Sequence, residues 1–284
     1  MIVKSELLRL AGVAFEAGRK ASAAILEVYS QGFGYEDKAD GSPITLADRR
    51  SNAILTRALS ATGIPVISEE TRIEDYSMRR QWEYFWLVDP LDGTKEFISR
   101  KGEFAINIGL MHRNLPLMGI IIAPLKGEAW WGIAGEGAFK LKDINPAGGF
   151  SEQALEGHSI ALKPGPARQK IGISVSRSHM EGQTLKLIGQ INEKFGAVNL
   201  MEKGSALKFG DLAEGRSDLY IRYSPTWEWD TAAGHALLLA RGGELLHITE
   251  HKPLTYNKPR LVNPGFIAFS RKGDSIRYLS DLTF

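Results

Sequence analysis

The chain has 284 residues, 43% of them hydrophobic, enough for one large domain or two modest ones. Its 35 basic and 33 acidic residues leave a net charge of +2, so the balance gives no push toward DNA, RNA or an acidic membrane surface. There is no cysteine, which excludes disulfides, thiolate zinc sites and a cysteine nucleophile.

Residues 4–29 are the first predicted element, an amphipathic helix with Leu7, Leu10, Ala11, Ala14, Ala21, Ile25 and Val28 on one stripe. Lys4, Glu6, Arg9 and Glu16 interrupt it, so it reads neither as a signal peptide nor as a membrane span, and a soluble intracellular protein is expected. Residues 31–43 read as a polar loop. Thr45 N-caps a second helix running to about residue 59, with Asp48 three residues on as a weak capping box. A short strand over 64–67 delivers Ser68-Glu69-Glu70, and residues 74–81 read as a surface helix or loop. Strands are predicted over 84–88, 104–112, 117–123, 128–133 and 138–142, with breaks at Asn114 and Lys126-Gly127. This first part reads as paired helices on a mostly antiparallel sheet.

Residues 143–157 are rich in Gly, Pro and Ala and lack periodicity. They mark the expected boundary between a subdomain of residues 1–150 and an α/β subdomain of residues 151–284. In the second, strands over 171–176, 197–200, 218–222, 243–247 and 266–270 alternate with helices over 180–195, 206–214 and 230–241. Gly242-Gly243 closes the last of these helices.

The chemistry is concentrated in Asp89-Pro90-Leu91-Asp92-Gly93-Thr94, which follows the apolar run 84–88 and reads as a turn. A turn alone needs one Asp or Asn with Gly. Two acids at the mouth of a buried strand repel each other unless a cation lies between them. Gly93-Thr94 lets backbone N–H groups approach an anion. A cation site beside an anion site points to metal-assisted phosphate chemistry, and magnesium favours such hard oxygen ligands. Glu69 follows a strand in the same way, and Asp230 opens a helix after the tryptophan-rich run 225–229, where a helix cap is its plainest role. Together the four acids are hard to explain as turns and caps.

These motifs are similar to those of the inositol monophosphatase-like superfamily of metal-dependent, lithium-sensitive phosphatases. The resemblance rests on Glu69-Glu70, on Asp89 to Thr94, and on Trp229-Asp230-Thr231-Ala232-Ala233-Gly234. It implies a layered α+β, α/β sandwich like that of inositol monophosphatase and fructose bisphosphatase. Within the superfamily the chain most resembles 3'(2'),5'-bisphosphate nucleotidases of the bacterial CysQ type. Asp40-Gly41-Ser42-Pro43-Ile44-Thr45, Ser176-Arg177-Ser178-His179 and Gly204-Ser205-Ala206-Leu207-Lys208-Phe209 carry that closer likeness, with Ala206 a small departure.

The resemblance implies removal of the 3'-phosphate of adenosine 3',5'-bisphosphate to give AMP, with two or more magnesium ions. Glu69 and Asp89, with the Leu91 carbonyl, are the expected ligands of one ion, and Asp89, Asp92 and Asp230 of a second. Asp40 and Thr94 are expected to orient and deprotonate water, with Glu70 as a helper. Gly93 and Thr94 present N–H groups to the phosphate. Glu69, Leu91, Asp92 and Asp230 also face the substrate. His179 and Ser205 are expected on the nucleoside and Lys208 on the 5'-phosphate, with Arg222 a weaker candidate. The partner is then a small phosphorylated nucleotide, with no nucleic acid and no integral membrane segment. A cytoplasmic monomer or homodimer is implied, and peripheral association with the inner membrane stays open.

The remaining signals read plainly. His112, His158, His235, His247 and His251 lack metal-ligand spacing. Trp130-Trp131 and Trp227/Trp229 read as packing residues rather than a base-stacking platform. Gly135-Glu136-Gly137 is a hairpin turn, and Ser174, Ser176 and Ser178 lack the elbow of a serine hydrolase. The alternative readings are an inositol monophosphatase with the same metal centre and a regulatory RNA- or polymerase-binding protein on the same fold.

Overall fold

The computed structural model describes residues 2–39, 41–144, 155, 157, 159–163, 169–177, 180 and 182–283. The chain begins with helix α1 (Lys4–Gln31), whose N-cap Val3 makes no side-chain hydrogen bond. Its stability therefore comes from its buried face. Each fully buried Leu, Ile or Phe contributes about 1.5–3 kcal/mol, more than a typical cap. The expected loop that follows holds a small hairpin instead, β1 (Tyr35–Asp37) and β2 (Pro43–Thr45), because Tyr35 to Asp37 find antiparallel partners in Pro43 to Thr45. Helix α2 (Leu46–Ser60) starts with a complete capping box between Thr45 and Asp48.

Strands β3 (Val66–Ser68), β4 (Tyr84–Asp92), β5 (Ala105–His112), β6 (Leu115–Ala123), β7 (Glu128–Ile133), β8 (Gly137–Leu141) and β9 (Ile160–Ala161) form one sheet in chain order. All its pairs are antiparallel except β3 with β4. The short helices α3 (Tyr76–Arg79) and α4 (Thr94–Ile98) flank β4. Period-two alternation divides the sheet's side chains between two cores. Trp86, Val88, Ile106, Ile108, Ile120 and Ile122 pack on α1 and α2. Phe85, Leu87, Ala105, Met111, Ile121 and Trp130 face the other way.

A second sheet is built from β10 (Ile171–Val175), β11 (Val198–Glu202), β12 (Leu219–Arg222), β14 (Glu244–His247) and β16 (Phe266–Phe269). Its order is β11-β10-β12-β16-β14, the first three strands being parallel. Between the two sheets lie α6 (Leu207–Ala213) and α7 (Ala232–Arg241). Outside the second sheet, α5 (Gln183–Phe195) and α8 (Asp274–Leu279) cover Ile173, Leu219, Ile267 and Phe269. The result is the layered α+β sandwich expected, helices and sheets alternating in five layers. A separate ribbon pairs β13 (Thr226–Trp227) with β15 (Val262–Asn263).

Helix α7 can lie close to the first sheet because Gly109, Gly119 and Gly132 stand side by side across β5, β6 and β7. A Cβ on Gly119 would fall 2.0 Å from the Ala233 carbonyl oxygen, and one on Gly109 3.1 Å from the Ala232 Cβ. This trough fixes the height of α7, and with it the position of Asp230 just before the helix. The expected boundary near residue 150 falls on residues 145–154, which lie outside those described. Phe85 and Leu87 of the first half share a core with Phe209, Leu237 and Phe266 of the second. Among the described residues no helix is long and apolar enough to cross a membrane.

Behind α7, His235 is buried with its Nδ1 3.0 Å from the Tyr256 hydroxyl. Burial pushes its pKa down to about 3. The imidazole is thus neutral in the folded protein, while the unfolded chain takes up a proton below about pH 6.5. Stability from this group is complete above that pH and is lost as pH falls toward 3. Urea unfolding should show about 2 kcal/mol lost to this residue between pH 7 and pH 5. A His235→Asn protein should lack that part of the pH dependence.

Candidate metal centre and active site

The spacing of Asp89 and Asp92 would place them on opposite faces of a regular strand. The structure resolves this with a bulge rather than the predicted turn. Asp89 pairs with Asn107 and Asp92 with Ala105, so β4 carries one residue more than β5 between these pairs. The bulge bends the strand end and lets both carboxylates serve one edge. The Leu91 N–H donates to Asp89 at 3.0 Å, and Ser51 of α2 donates to the Pro90 carbonyl at 2.7 Å. The bend comes after Asp92, at Gly93, with φ +91°. A side chain there would also meet the Glu103 carbonyl at 2.9 Å, so glycine is required twice over.

The parallel pairing of β3 with β4 brings in Glu69. Ser68 pairs with Val88, and the Glu69 N–H donates to the Val88 carbonyl at 3.2 Å. Parallel strands end at the same edge, so Glu69 arrives beside Asp89. Asp230 comes from the other side of the cleft. It does not cap helix α7, whose N-cap is Thr231. Its carboxylate instead accepts from the Trp227 N–H at 2.9 Å.

These four acids feel one another. Burial, and then the charges of Glu69, Asp92 and Asp230, push the Asp89 carboxyl well above the usual carboxylate range. Burial followed by Asp92 and Glu69 does the same to Asp230, with Arg222 opposing. Burial raises Asp92 against the pull of Lys208, and raises Glu69 against that of Lys38. Lys38, in the hairpin connection between β1 and β2, places its ammonium 2.7 Å from Glu69 and in contact with Glu70. Burial works against its charge, but the two glutamates outweigh it.

Among the described residues no three of these acids are gathered tightly enough to enclose one ion. The donor set still fits a hard divalent cation: four carboxylates around one cleft, an ammonium already standing between two glutamates, and no sulfur or imidazole. Beside Asp92, Asn107 donates to it at 3.3 Å, while its own buried oxygen has no partner among the described groups.

Thr94 begins α4, its hydroxyl 3.1 Å from both Asp48 and the Leu91 carbonyl. Asp48 was legible in the sequence only as half of a capping box. Its second oxygen does hold Thr45, but the first reaches Thr94, and burial raises its pKa. Asp40 and His179 lie outside the described residues. Ser205 lines the cleft in a left-handed conformation, φ +50°, and the next N–H, Ala206, binds Asp92. Lys208 lines the same cleft. It is buried, and its ammonium donates to the carbonyls of Lys203 at 3.0 Å and Ser205 at 2.6 Å, so it braces this turn.

The cleft over these residues measures about 640 Å³. Glu69, Asp89, Asp92 and Asp230 line it together with the cations Lys95, Arg177, Lys203, Lys208, Arg222 and Arg260. Lys203 is paired with Asp211 and Arg177 with Glu103. Arg222 and Arg260 are in no ion pair among the described residues.

A model of the inositol monophosphatase family matches residues 6–274. The chain belongs to the inositol monophosphatase family. This family member is 36% identical to the 3'(2'),5'-bisphosphate nucleotidase CysQ of Shigella flexneri over 88% of its own length and 96% of the relative's. It is 35% identical to the CysQ of Escherichia coli K12 over the same shares. A crystal structure of CysQ from Bacteroides thetaiotaomicron superposes with a TM-score of 0.82 at 40% identity, covering 92% of this chain and 97% of that one. The extragenic suppressor protein suhB of Bartonella henselae shares the fold at a TM-score of 0.73 and 22% identity, covering 96% of this chain and 98% of that one.

The four crowded acids of this family member, Asp89 buried and the other three half-buried, should behave as repelling charges whenever chelator keeps divalent ions away. Asp89→Asn should then melt at the same temperature as wild type or a few degrees higher in EDTA. Added magnesium should raise the wild-type melting temperature and leave the variant nearly unmoved. Equal magnesium shifts in a thermal scan of the two proteins would remove Asp89 from the metal centre.

Proposed function

We propose that this protein is a magnesium-dependent 3'(2'),5'-bisphosphate nucleotidase that hydrolyses the 3'-phosphate of adenosine 3',5'-bisphosphate to AMP and inorganic phosphate. The observation that carries this reading is the presence of both charges in the cleft. Four carboxylates suited to cations line it, and the same lining carries Arg222 and Arg260, which form no ion pair among the described residues, with Arg222 near enough to feel the charges of Asp230 and Asp92. Such a cleft suits a substrate with two phosphates, one cut and one held. The likeness to CysQ nucleotidases over 88% of the chain supports the same substrate class. The inositol monophosphatase of Anabaena, at 22% identity, and the inositol monophosphate-bound SaIMPase-II, at 20%, share the fold alone.

Glu69, Asp89, Asp92, Asp230 and the Leu91 carbonyl would hold the magnesium ions, which when bound supply charge to the phosphate oxygens and acidify water. The residues of the chain do the rest. Thr94 accepts a hydrogen bond from the attacking water and passes its own hydroxyl proton toward Asp48, whose burial favours taking it up. The N–H groups of Gly93 and Thr94, at the start of α4, face the phosphate that is cut. Glu70, held by Lys38, keeps that lysine beside Glu69. With Lys208 committed to backbone carbonyls, the second phosphate falls to Arg222, a half-buried guanidinium in the same cleft. The bond from phosphorus to the ribose 3' oxygen breaks as water adds, and that oxygen takes up a proton from solvent water, so the ribose 3'-hydroxyl and inorganic phosphate leave while Asp48 later returns its proton to solvent.

Phosphate release from adenosine 3',5'-bisphosphate, AMP and inositol 1-phosphate should rank the bisphosphate first, with magnesium required. Thr94→Val should lower kcat on it by about a hundredfold or more while leaving KM nearly unchanged, the mark of an interaction made in the transition state. Preference for inositol 1-phosphate, or full activity in excess chelator, would overturn the reading.

A further inference from the structure

The two tryptophans ahead of Asp230 differ in a way their sequence spacing does not reveal. Trp229 is 3% exposed and packs in the central core, whereas Trp227 is 39% exposed. Their rings are stacked nearly parallel, centroids 5.1 Å apart and planes 10° from each other. One face of Trp227 is therefore covered by a fixed aromatic ring, and its accessible remainder fronts the cleft.

The ring is held in place by backbone on both sides. Trp227 lies in the β13–β15 ribbon opposite Val262, and its carbonyl accepts from Asp230 and Asn263. Its N–H donates to the Asp230 carboxylate. The platform is thus tied to the acids at which the phosphate is cut. Two neighbours point to a polar ligand on the same wall. Thr226 lines the cleft, and its buried hydroxyl has no partner among the described residues. Arg260, two residues before Val262, lines it too.

We propose that Trp227 is the nucleobase platform of this cleft: the purine extends the Trp229–Trp227 stack, and the ribose then spans from that ring to the acids. This rests on the nucleotidase reading and deepens it, because it says why a nucleotide is chosen over another phosphate ester. A flat, rigid indole with one face already stacked loses little freedom on binding a base. Stacking also tolerates any base, so the preference is for nucleotides as a class, strongest for purines.

Calorimetric titration of AMP and of ribose 5-phosphate, which lacks the base, tests this in wild type, Trp227→Ala, Trp227→Leu and Trp227→Phe. AMP affinity should fall about five- to a hundredfold in the Ala and Leu proteins and stay within a few-fold of wild type in the Phe protein. Affinity for ribose 5-phosphate should move far less. The Leu variant keeps Trp229 covered, so its loss cannot be assigned to a disturbed core. Unchanged AMP affinity in Ala and Leu, or equal weakening of both ligands, would overturn the platform while leaving the nucleotidase reading intact. Wild-type protein that binds AMP no better than ribose 5-phosphate and does not cut adenosine 3',5'-bisphosphate would overturn both.

Discussion

Mutual repulsion among Glu69, Asp89, Asp92 and Asp230 is the constraint to which the rest of this structure answers. Buried carboxylates that raise one another's pKa oppose folding, and a chain keeps such a set only where it is offset elsewhere. Two lysines do this. Lys38 lends its ammonium to Glu69 and Glu70, and Lys208 sits close enough to Asp92 to oppose the effect of its burial. Neither is a full counterweight, since all four groups stay above the usual carboxylate range. The remaining imbalance is what a divalent cation would relieve.

The scaffold holds these acids in place by packing. A bulge aims Asp89 and Asp92 together, and the parallel pairing of β3 with β4 adds Glu69 beside them. Three glycines in register across the sheet let α7 settle close enough for Asp230 to face the same cleft. The five layers matter to function chiefly because they bury the backs of these elements. Movement of any one of them would displace an acid relative to the others.

Much of this was legible beforehand because it is local or periodic. The 3.6-residue stripe marked α1, and apolar runs broken at Asn114 and at Lys126-Gly127 marked the antiparallel strands. The capping pair Thr45 and Asp48 marked the start of α2. The acids were visible because no turn or cap needs so many. The hairpin over Tyr35 to Thr45 and the ribbon of Thr226 and Val262 were missed, since each strand is only two or three residues long and carries no periodicity. Asp48 was read as a cap alone, because its contact with Thr94 spans 46 positions. Nothing local to Lys208 says that its ammonium donates to the carbonyls of Lys203 and Ser205.

The sequence by itself determined the chemical inventory: which acids, which glycines and which hydroxyl stand at strand and helix ends, and hence phosphate chemistry with a hard cation. Those signals depend on residue type and on neighbours a few positions away, so they survive without coordinates. Only the tertiary structure decided which groups meet. It made Asp48 the partner of Thr94, turned the Lys208 ammonium onto backbone carbonyls, left Arg222 and Arg260 in no ion pair among the described residues, and separated a packed Trp229 from an accessible Trp227. Those outcomes hang on a bulge, a glycine trough and a two-stranded ribbon, each of which sets distances between residues far apart in the chain.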